Sequence, residues 1–116
     1  MRGIRLVACV AAMAAFAQGA GACERPDDIS IPDGRNANEA DMIAADAAYR
    51  RFMDAMREYQ ACLAADSDRQ RPGSENKEAL RQYENAYVAR HNAASDAMTR
   101  TTDAFNKAID EYKARQ

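Results

Sequence analysis

Apolar side chains recur at helical spacing along the chain from residue 38. No glycine or proline occurs between Asn38 and Arg71, and the apolar positions are separated alternately by three and four residues. They are Met42, Ala45, Tyr49, Phe52, Met56, Tyr59 and Leu63. This heptad spacing predicts an amphipathic helix whose seam packs on a partner helix. Asn38 is a favoured N-cap, and Glu39 and Asp41 complement the helix dipole, so the helix should begin at Glu39.

A second helical pattern follows Pro72 and Gly73, which should end the first helix. Ser74 is the predicted cap of a helix that covers most of residues 75–116, where no further Gly or Pro occurs. The stripe on one face of this helix consists of Leu80, Tyr83, Tyr87, His91, Ala94, Met98, Thr102, Phe105, Ile109 and Tyr112. Two helices with a short Pro-Gly connection predict an all-α fold, an antiparallel and coiled-coil-like two-helix hairpin over residues 39–116.

The two predicted helices differ in length. The first should span about 28 residues or roughly 42 Å, and the second about 40 residues or roughly 60 Å. The far end of the second helix should therefore overhang the first. Phe105, Ile109 and Tyr112 are expected to need cover there from the N-terminal stretch or from a second subunit.

Residues 1–22 have the layout of a secretory signal peptide, with two arginines, an apolar run and then small residues. The apolar run is about 11 residues, whereas a membrane-spanning helix needs roughly 20. Ala20 and Ala22 are the small residues that signal peptidase requires if cleavage leaves Cys23 first, and cleavage after Gly19 is the alternative. The sequence predicts a periplasmic or secreted protein with no membrane span.

The mature chain carries a negative net charge. Removing Arg2 and Arg5 from the 16 Lys and Arg residues leaves 14, against 18 Asp and Glu, for a net charge of −4. No basic patch interleaved with aromatic residues occurs in the sequence. These features argue against a nucleic-acid or anionic-membrane partner. The chain also lacks Trp, and a thin core of this kind calls for a covalent staple or a partner.

Residues 23–38 are predicted to form an extended strap ahead of the helices. Pro26 and Pro32 favour extended backbone, and Asp33-Gly34 permits a chain reversal. The reversal would let the strap run back along the first helix.

Cys23 and Cys62 are the two cysteines left after the leader is removed. The first helix carries Cys62 about 35 Å from its own start. The residues from Cys23 to Asn38 can cover about 45 Å in polyproline II conformation, so a disulfide within the chain is sterically possible and is predicted. Lipidation of Cys23 is an alternative, although Ala20 stands where a lipobox usually has Leu. A disulfide between two chains is another.

Candidate chemistry is sparse. His91 is the only histidine, lies on the seam of the second helix and is interpreted as a packed residue. The methionines at 42, 53, 56 and 98 could bind Cu(I) through their thioethers, but the seam positions of Met42 and Met56 favour core packing. No catalytic, cofactor-binding or metal-binding residue is therefore predicted.

Three sequence elements carry a resemblance to a family. They are Cys-Glu-Arg-Pro at 23–26, Ile-Pro-Asp-Gly at 31–34 and Tyr-Gln-Ala-Cys-Leu at 59–63, with the Met42-led helix between the second and third. Together they resemble a group of small exported proteobacterial proteins with a Cys-x-x-Pro, Ile-Pro-Asp-Gly and Tyr-x-x-Cys-Leu pattern. The resemblance implies export and a structural disulfide, and it implies no catalytic residue.

The functional hypothesis is a structural or protein-interaction module of the cell envelope, with a protein partner or self-association. The protein is not expected to be an enzyme. One alternative is an envelope lipoprotein, lipidated at Cys23, that acts as a spacer or accessory factor. The other is a metal carrier that uses its methionines and His91.

Overall fold

A computed structural model describes residues 23–116, and the predicted leader, residues 1–22, lies outside the described part. Two α-helices follow one another: α1 spans Glu39–Gln70 (32 residues) and α2 spans Lys77–Lys113 (37 residues). They pack side by side in opposite directions. The prediction of an all-α two-helix hairpin with an extended N-terminal strap is confirmed.

The start of α1 is fixed by a capping box. The Asn38 side chain accepts a hydrogen bond from the backbone amide of Asp41 at 2.8 Å, and the Asp41 carboxylate accepts one from the Asn38 amide at 3.1 Å. Two amides that lack helical partners are satisfied in this way. The prediction of Asn38 as N-cap and Glu39 as the first helical residue is confirmed.

The end of α1 lies further along the chain than the expected 28 residues allow. Tyr83 of α2 donates its hydroxyl proton toward the carbonyl oxygens of Asp66 and Ser67, at 3.2 and 3.0 Å. Carbonyls near a helix end need such donors, and Tyr83 provides one from across the hairpin. The Asp66 carboxylate also accepts hydrogen bonds from Arg69 and Gln70. These contacts stabilise the last turns of α1, which ends at Gln70, two residues before Pro72.

The start of α2 differs from the prediction. Asn76, not Ser74, is the N-cap, and its side-chain oxygen accepts from the amide of Ala79 at 3.1 Å. The Asn76 amide donates to the carbonyl of Gly73, which closes a turn. Ser74 lies inside that turn, so the helix begins at Lys77 and not at residue 75.

The core lies between the helices and follows the predicted α1 seam. Its buried apolar members are Phe52, Met56, Tyr59 and Leu63 from α1, with Ala94 and Ala97 from α2. Met56 is completely inaccessible to solvent. Large side chains on α1 thus pack against small ones on α2, which allows the two helices to approach closely.

The expected overhang of α2 is wrong. Phe105 is 7% exposed and stacks on Tyr49 of α1, with ring centroids 4.8 Å apart. The Tyr49 hydroxyl also hydrogen-bonds the Thr102 hydroxyl at 2.8 Å. Because α1 is longer than expected and α2 shorter, the helices cover each other, and Ile109 and Tyr112 are half-buried. The lengths of uninterrupted sequence overestimated the difference between the helices. The register of the hairpin aligns the start of α1 with the end of α2, so no long end of α2 is left uncovered.

Candidate interaction faces

The hairpin has two long grooves between its helices, one on each face. The strap, residues 23–38, occupies the first. At one end Arg90 donates to the Cys23 carbonyl, and at the other Gly34 lies against Ala108. The 18 residues of helix from 90 to 108 rise about 27 Å. The strap spans this distance with the 11 residues from Cys23 to Gly34, or roughly 2.5 Å per residue, which is nearer to extended backbone than to the ~1.5 Å of a helix.

A stripe of small side chains on α2 lies along the strap. Its members are Ala94, Ala97, Thr101, Ala104 and Ala108, spaced alternately by three and four residues. Ile29 packs against the core, and Ile31 lines shallow clefts with Ala104. Small residues here leave room for the strap, whereas larger ones would fill the groove. The sequence prediction missed this stripe, and its 3-4 spacing was the signal that could have found it.

The N-terminal end of the strap is held by Cys23 and Cys62. Their sulfur atoms lie at disulfide-bonding distance and their Cα atoms are 5.8 Å apart, in the usual range for a disulfide. Arg90 donates to the Cys23 carbonyl at 3.3 Å and lies 5.9 Å from the ring centre of Tyr59. A cation over an aromatic face adds to the anchoring of this end.

The C-terminal end of the strap is held by Arg115. Its Nη1 donates to the carbonyl oxygens of Gly34 at 3.0 Å and Ala37 at 2.7 Å. Its guanidinium also lies 5.6 Å from the ring centre of Tyr112. Neither Arg90 nor Arg115 was identified from the sequence as an anchor of the strap, since no sequence pattern distinguishes them from the other exposed arginines of the chain.

The chain reverses at Asp33, whose carbonyl accepts from the amides of Asn36 and Ala37. The Asp33 carboxylate accepts from the Arg35 side chain and backbone amide and from the Asn36 amide group. The side-chain bond from Arg35 is the largest cause that holds the pKa of Asp33 well below its usual range. Arg35 also faces Glu111 of α2 at 3.8 Å, which ties the turn to the helix.

The second groove is free of the strap; we call it the open groove. Its largest cleft has a volume of about 500 Å³, and an adjoining cleft of about 360 Å³ shares Met53 with it. The first cleft is lined by Asp46, Tyr49, Arg50, Met53, Asp54, Arg57, Phe105 and Asn106. The second is lined by Met53, Gln60, Ser95, Met98, Thr99, Thr102 and Asp103. The half-buried methionines form an apolar floor, and polar side chains form the walls.

Charges of alternating sign follow the α1 wall of the open groove. Arg50 pairs with Asp46 at 3.0 Å and Arg57 pairs with Asp54 at 3.2 Å; Asp46 is half-buried and the other three side chains are exposed. Exposed pairs of this kind contribute only about 0.2–0.5 kcal/mol to stability. Their pattern along the wall is therefore of more interest for recognition than for folding.

Among residues 23–116, two large apolar side chains are exposed, and each is in helical register with the open groove. Ile43 on α1 is 64% exposed and precedes Asp46 by three residues. Val88 on α2 is 50% exposed and precedes Ser95 by seven. Tyr83 contacts Asp66 and Ser67, and Gln60 contacts His91, so Val88 lies near the opposite end of the hairpin from Ile43.

The residues considered for metal or acid-base chemistry are dispersed. His91 is half-buried beside Tyr87, with ring centroids 5.9 Å apart. Met56 is buried in the core, whereas Met53 and Met98 line the open groove. Within residues 23–116 no group of three or more His, Cys, Asp or Glu side chains is arranged to hold a metal ion. Within the same range every buried side-chain nitrogen or oxygen has a hydrogen-bond partner.

No protein-family model, curated protein or solved structure matches the chain. In the part of the chain that the structure describes, neither helix has an apolar stretch long enough to cross a membrane.

Proposed function

We propose that this protein is a small exported helical module of the cell envelope, periplasmic or secreted, that binds protein through the open groove. One observation carries the proposal: the strap fills one groove of the hairpin, while the opposite groove keeps an apolar floor of Met53 and Met98 inside a charged wall. Methionine adapts its shape to a partner, and charged walls confer specificity.

The pairing of Cys23 with Cys62 supports an address outside the cytoplasm. Disulfides form and persist in oxidising compartments and are rare where thiols are kept reduced. The signal-peptide layout of residues 1–22 supports the same address. The resemblance to small exported proteins is consistent with it.

A binding role is favoured over catalysis by what lines the clefts. The lining of the open groove combines local ion pairs, methionines and hydroxyl groups. Among the described residues, the carboxyl groups with lowered pKa are Asp33 and Glu78, and both are exposed and held by the neighbouring Arg35 and Arg81. Such pairs stabilise turns and helix surfaces and do not form a nucleophile with its base.

The lipoprotein alternative competes for the same sulfur atom. An acyl thioether on Cys23 and a bond to Cys62 exclude each other. The position of Cys23, with its carbonyl bound by Arg90 and its side chain against the core, favours the disulfide. A free lipidated residue would instead need the strap to leave this groove.

Site-specific photocrosslinking in the native envelope tests the proposal. A photoreactive amino acid is placed at Met53, in the open groove, and in a matched variant at Arg51, an exposed α1 residue outside it. We expect protein adducts from position 53 and few from position 51. Equal adducts from both positions, or none from position 53, would contradict an interaction role for this groove.

A further inference from the structure

We propose that the open groove binds the open groove of a second copy of this chain, with the two α1 helices antiparallel across a two-fold axis. This inference rests on the proposed function and names the partner. The axis would cross α1 at the level of Phe52 and Met53, of which Met53 lines the larger cleft.

The charges of the α1 wall are complementary to themselves under a two-fold rotation. The four charged residues of the α1 wall are Asp46, Arg50, Asp54 and Arg57. The midpoint between Asp46 and Arg57 nearly coincides with the midpoint between Arg50 and Asp54. A two-fold axis there places Asp46 opposite Arg57 of the second copy and Arg50 opposite Asp54 of the second copy. All four contacts thus join opposite charges, as an isologous interface requires.

The alternative two-fold arrangement lacks this complementarity. An axis parallel to the helices would place α1 of one copy over α2 of the other. The α2 wall presents the uncharged Ser95, Thr99 and Thr102 and one acidic residue, Asp103, so it has no basic side chain to pair with Asp46 or Asp54 of the α1 wall. The charge pattern therefore selects the arrangement in which α1 faces α1.

The positions of the exposed apolar residues also favour the antiparallel arrangement. Ile43 and Val88 lie near opposite ends of the open groove, about 30 Å apart along the hairpin. An antiparallel two-fold axis brings the Ile43 end of one copy to the Val88 end of the other. Both side chains, 64% and 50% exposed in the single chain, would then lie within the face that the two copies share.

The available area is compatible with a reversible dimer. A face about 30 Å long and roughly 20 Å wide offers on the order of 600 Å² per copy, or about 1,200 Å² in total. This total lies at the lower limit of stable protein interfaces. We therefore expect a concentration-dependent dimer, weakened by salt because its charge pairs are exposed.

Sedimentation equilibrium of the full chain, expressed with its own leader and purified from the periplasm, measures the association. Two charge reversals test the pairing: Asp46→Arg and Arg57→Asp. Each places like charges opposite each other twice per dimer, and each should weaken self-association about tenfold or more. Mixing the two variants in equal amounts restores opposite charges at both contacts, so a heterodimer should form at the wild-type affinity.

The mixing experiment isolates the contact between chains. Residues 46 and 57 are about 16 Å apart along α1, too far to pair within one chain. Asp46→Arg disrupts the local pair with Arg50, and Arg57→Asp disrupts the local pair with Asp54. Mixing the variants does not restore either local pair, so a recovery of association would come from the contacts between the two chains. Arg51→Asp and Glu58→Arg, reversals at exposed α1 positions outside the groove, are the controls and should leave association unchanged.

A monomer at all concentrations, or a dimer unaffected by the groove reversals, would overturn this inference. So would variants that weaken alone but do not associate on mixing. A monomeric chain that still crosslinks another protein from position 53 would leave the proposed function standing. Loss of both readouts would remove both proposals.

Discussion

Gly34 lies directly against the backbone of Ala108: a Cβ on Gly34 would overlap the Ala108 carbonyl oxygen and lie 2.8 Å from the carbonyl carbon. A helix backbone cannot shift locally to make room, so the strap would have to lift. Gly34 is therefore required by close approach, at the point where the strap meets the end of α2.

Gly34→Ala should destabilise the protein by about 1–3 kcal/mol, the usual cost of overpacking a tight contact. Chemical denaturation of the oxidised protein measures the change. Gly73→Ala is the matched control, because its Cβ would meet only the flexible, exposed side chain of Glu75, which can move away. A Gly34 variant as stable as the Gly73 variant would contradict the observed packing of the strap.

The disulfide should supply much of the stability of this thin fold. Cys23 and Cys62 are 39 positions apart, and closing a loop of that length stabilises by about 4 kcal/mol in the chain-entropy model. Replacing both cysteines with Ala should lower the free energy of unfolding by up to that amount. Reductant should destabilise the wild type and leave the double variant unchanged. A double variant as stable as the oxidised wild type would show that the strap needs no covalent anchor.

Two methionines of α1, Met53 and Met56, should differ in how much they contribute to stability. Met56→Ala should cost about 2–5 kcal/mol because Met56 is completely buried and its removal leaves a cavity. Met53→Ala should cost less than half as much, since Met53 is half-buried at the floor of the open groove. Thermal denaturation of both variants measures the difference. Equal losses would mean that Met53 belongs to the core and is not available for binding.

The turn at Asp33 should persist in acid. The pKa of Asp33 is lowered in the folded state, so its contribution to stability is present above the ordinary aspartate value of 3.8 and is lost as the pH falls through the folded pKa. A carbon NMR titration should find the Asp33 carboxyl group still ionised at pH 3.8. Arg35→Gln removes the side-chain donor and should raise that pKa toward the ordinary value. Half-protonation of wild-type Asp33 at pH 3.8 or higher would contradict the hydrogen bonds of the turn.

The sequence predicted the hairpin well because its signals are local. Alternating steps of three and four residues set the α1 seam, and Asn38 marked the start of the helix. The prediction of Asn38 as N-cap was right because a short polar side chain reaches amides two or three residues ahead. Ser74 failed as a cap because Asn76 has the same ability and lies after the turn that Gly73 closes.

What the sequence did not predict depends on how the helices are rotated and aligned against each other. Tyr83 stabilises the end of α1 because the alignment of α2 places its hydroxyl group beside the carbonyls of Asp66 and Ser67. The small residues from Ala94 to Ala108 resemble ordinary helix-forming alanines until the strap lies on them. The open groove is the side away from these small residues, and the sequence prediction did not identify it because it did not use their spacing.

The central claim is that Cys23 is bonded to Cys62, so that the strap closes one groove and leaves the other for a partner. Intact mass spectrometry of the protein isolated from the envelope tests it most directly. We predict the mass of residues 23–116 less two hydrogens, with a gain of about 2 Da on reduction. An acyl adduct on Cys23, or two free thiols in the isolated protein, would contradict the claim.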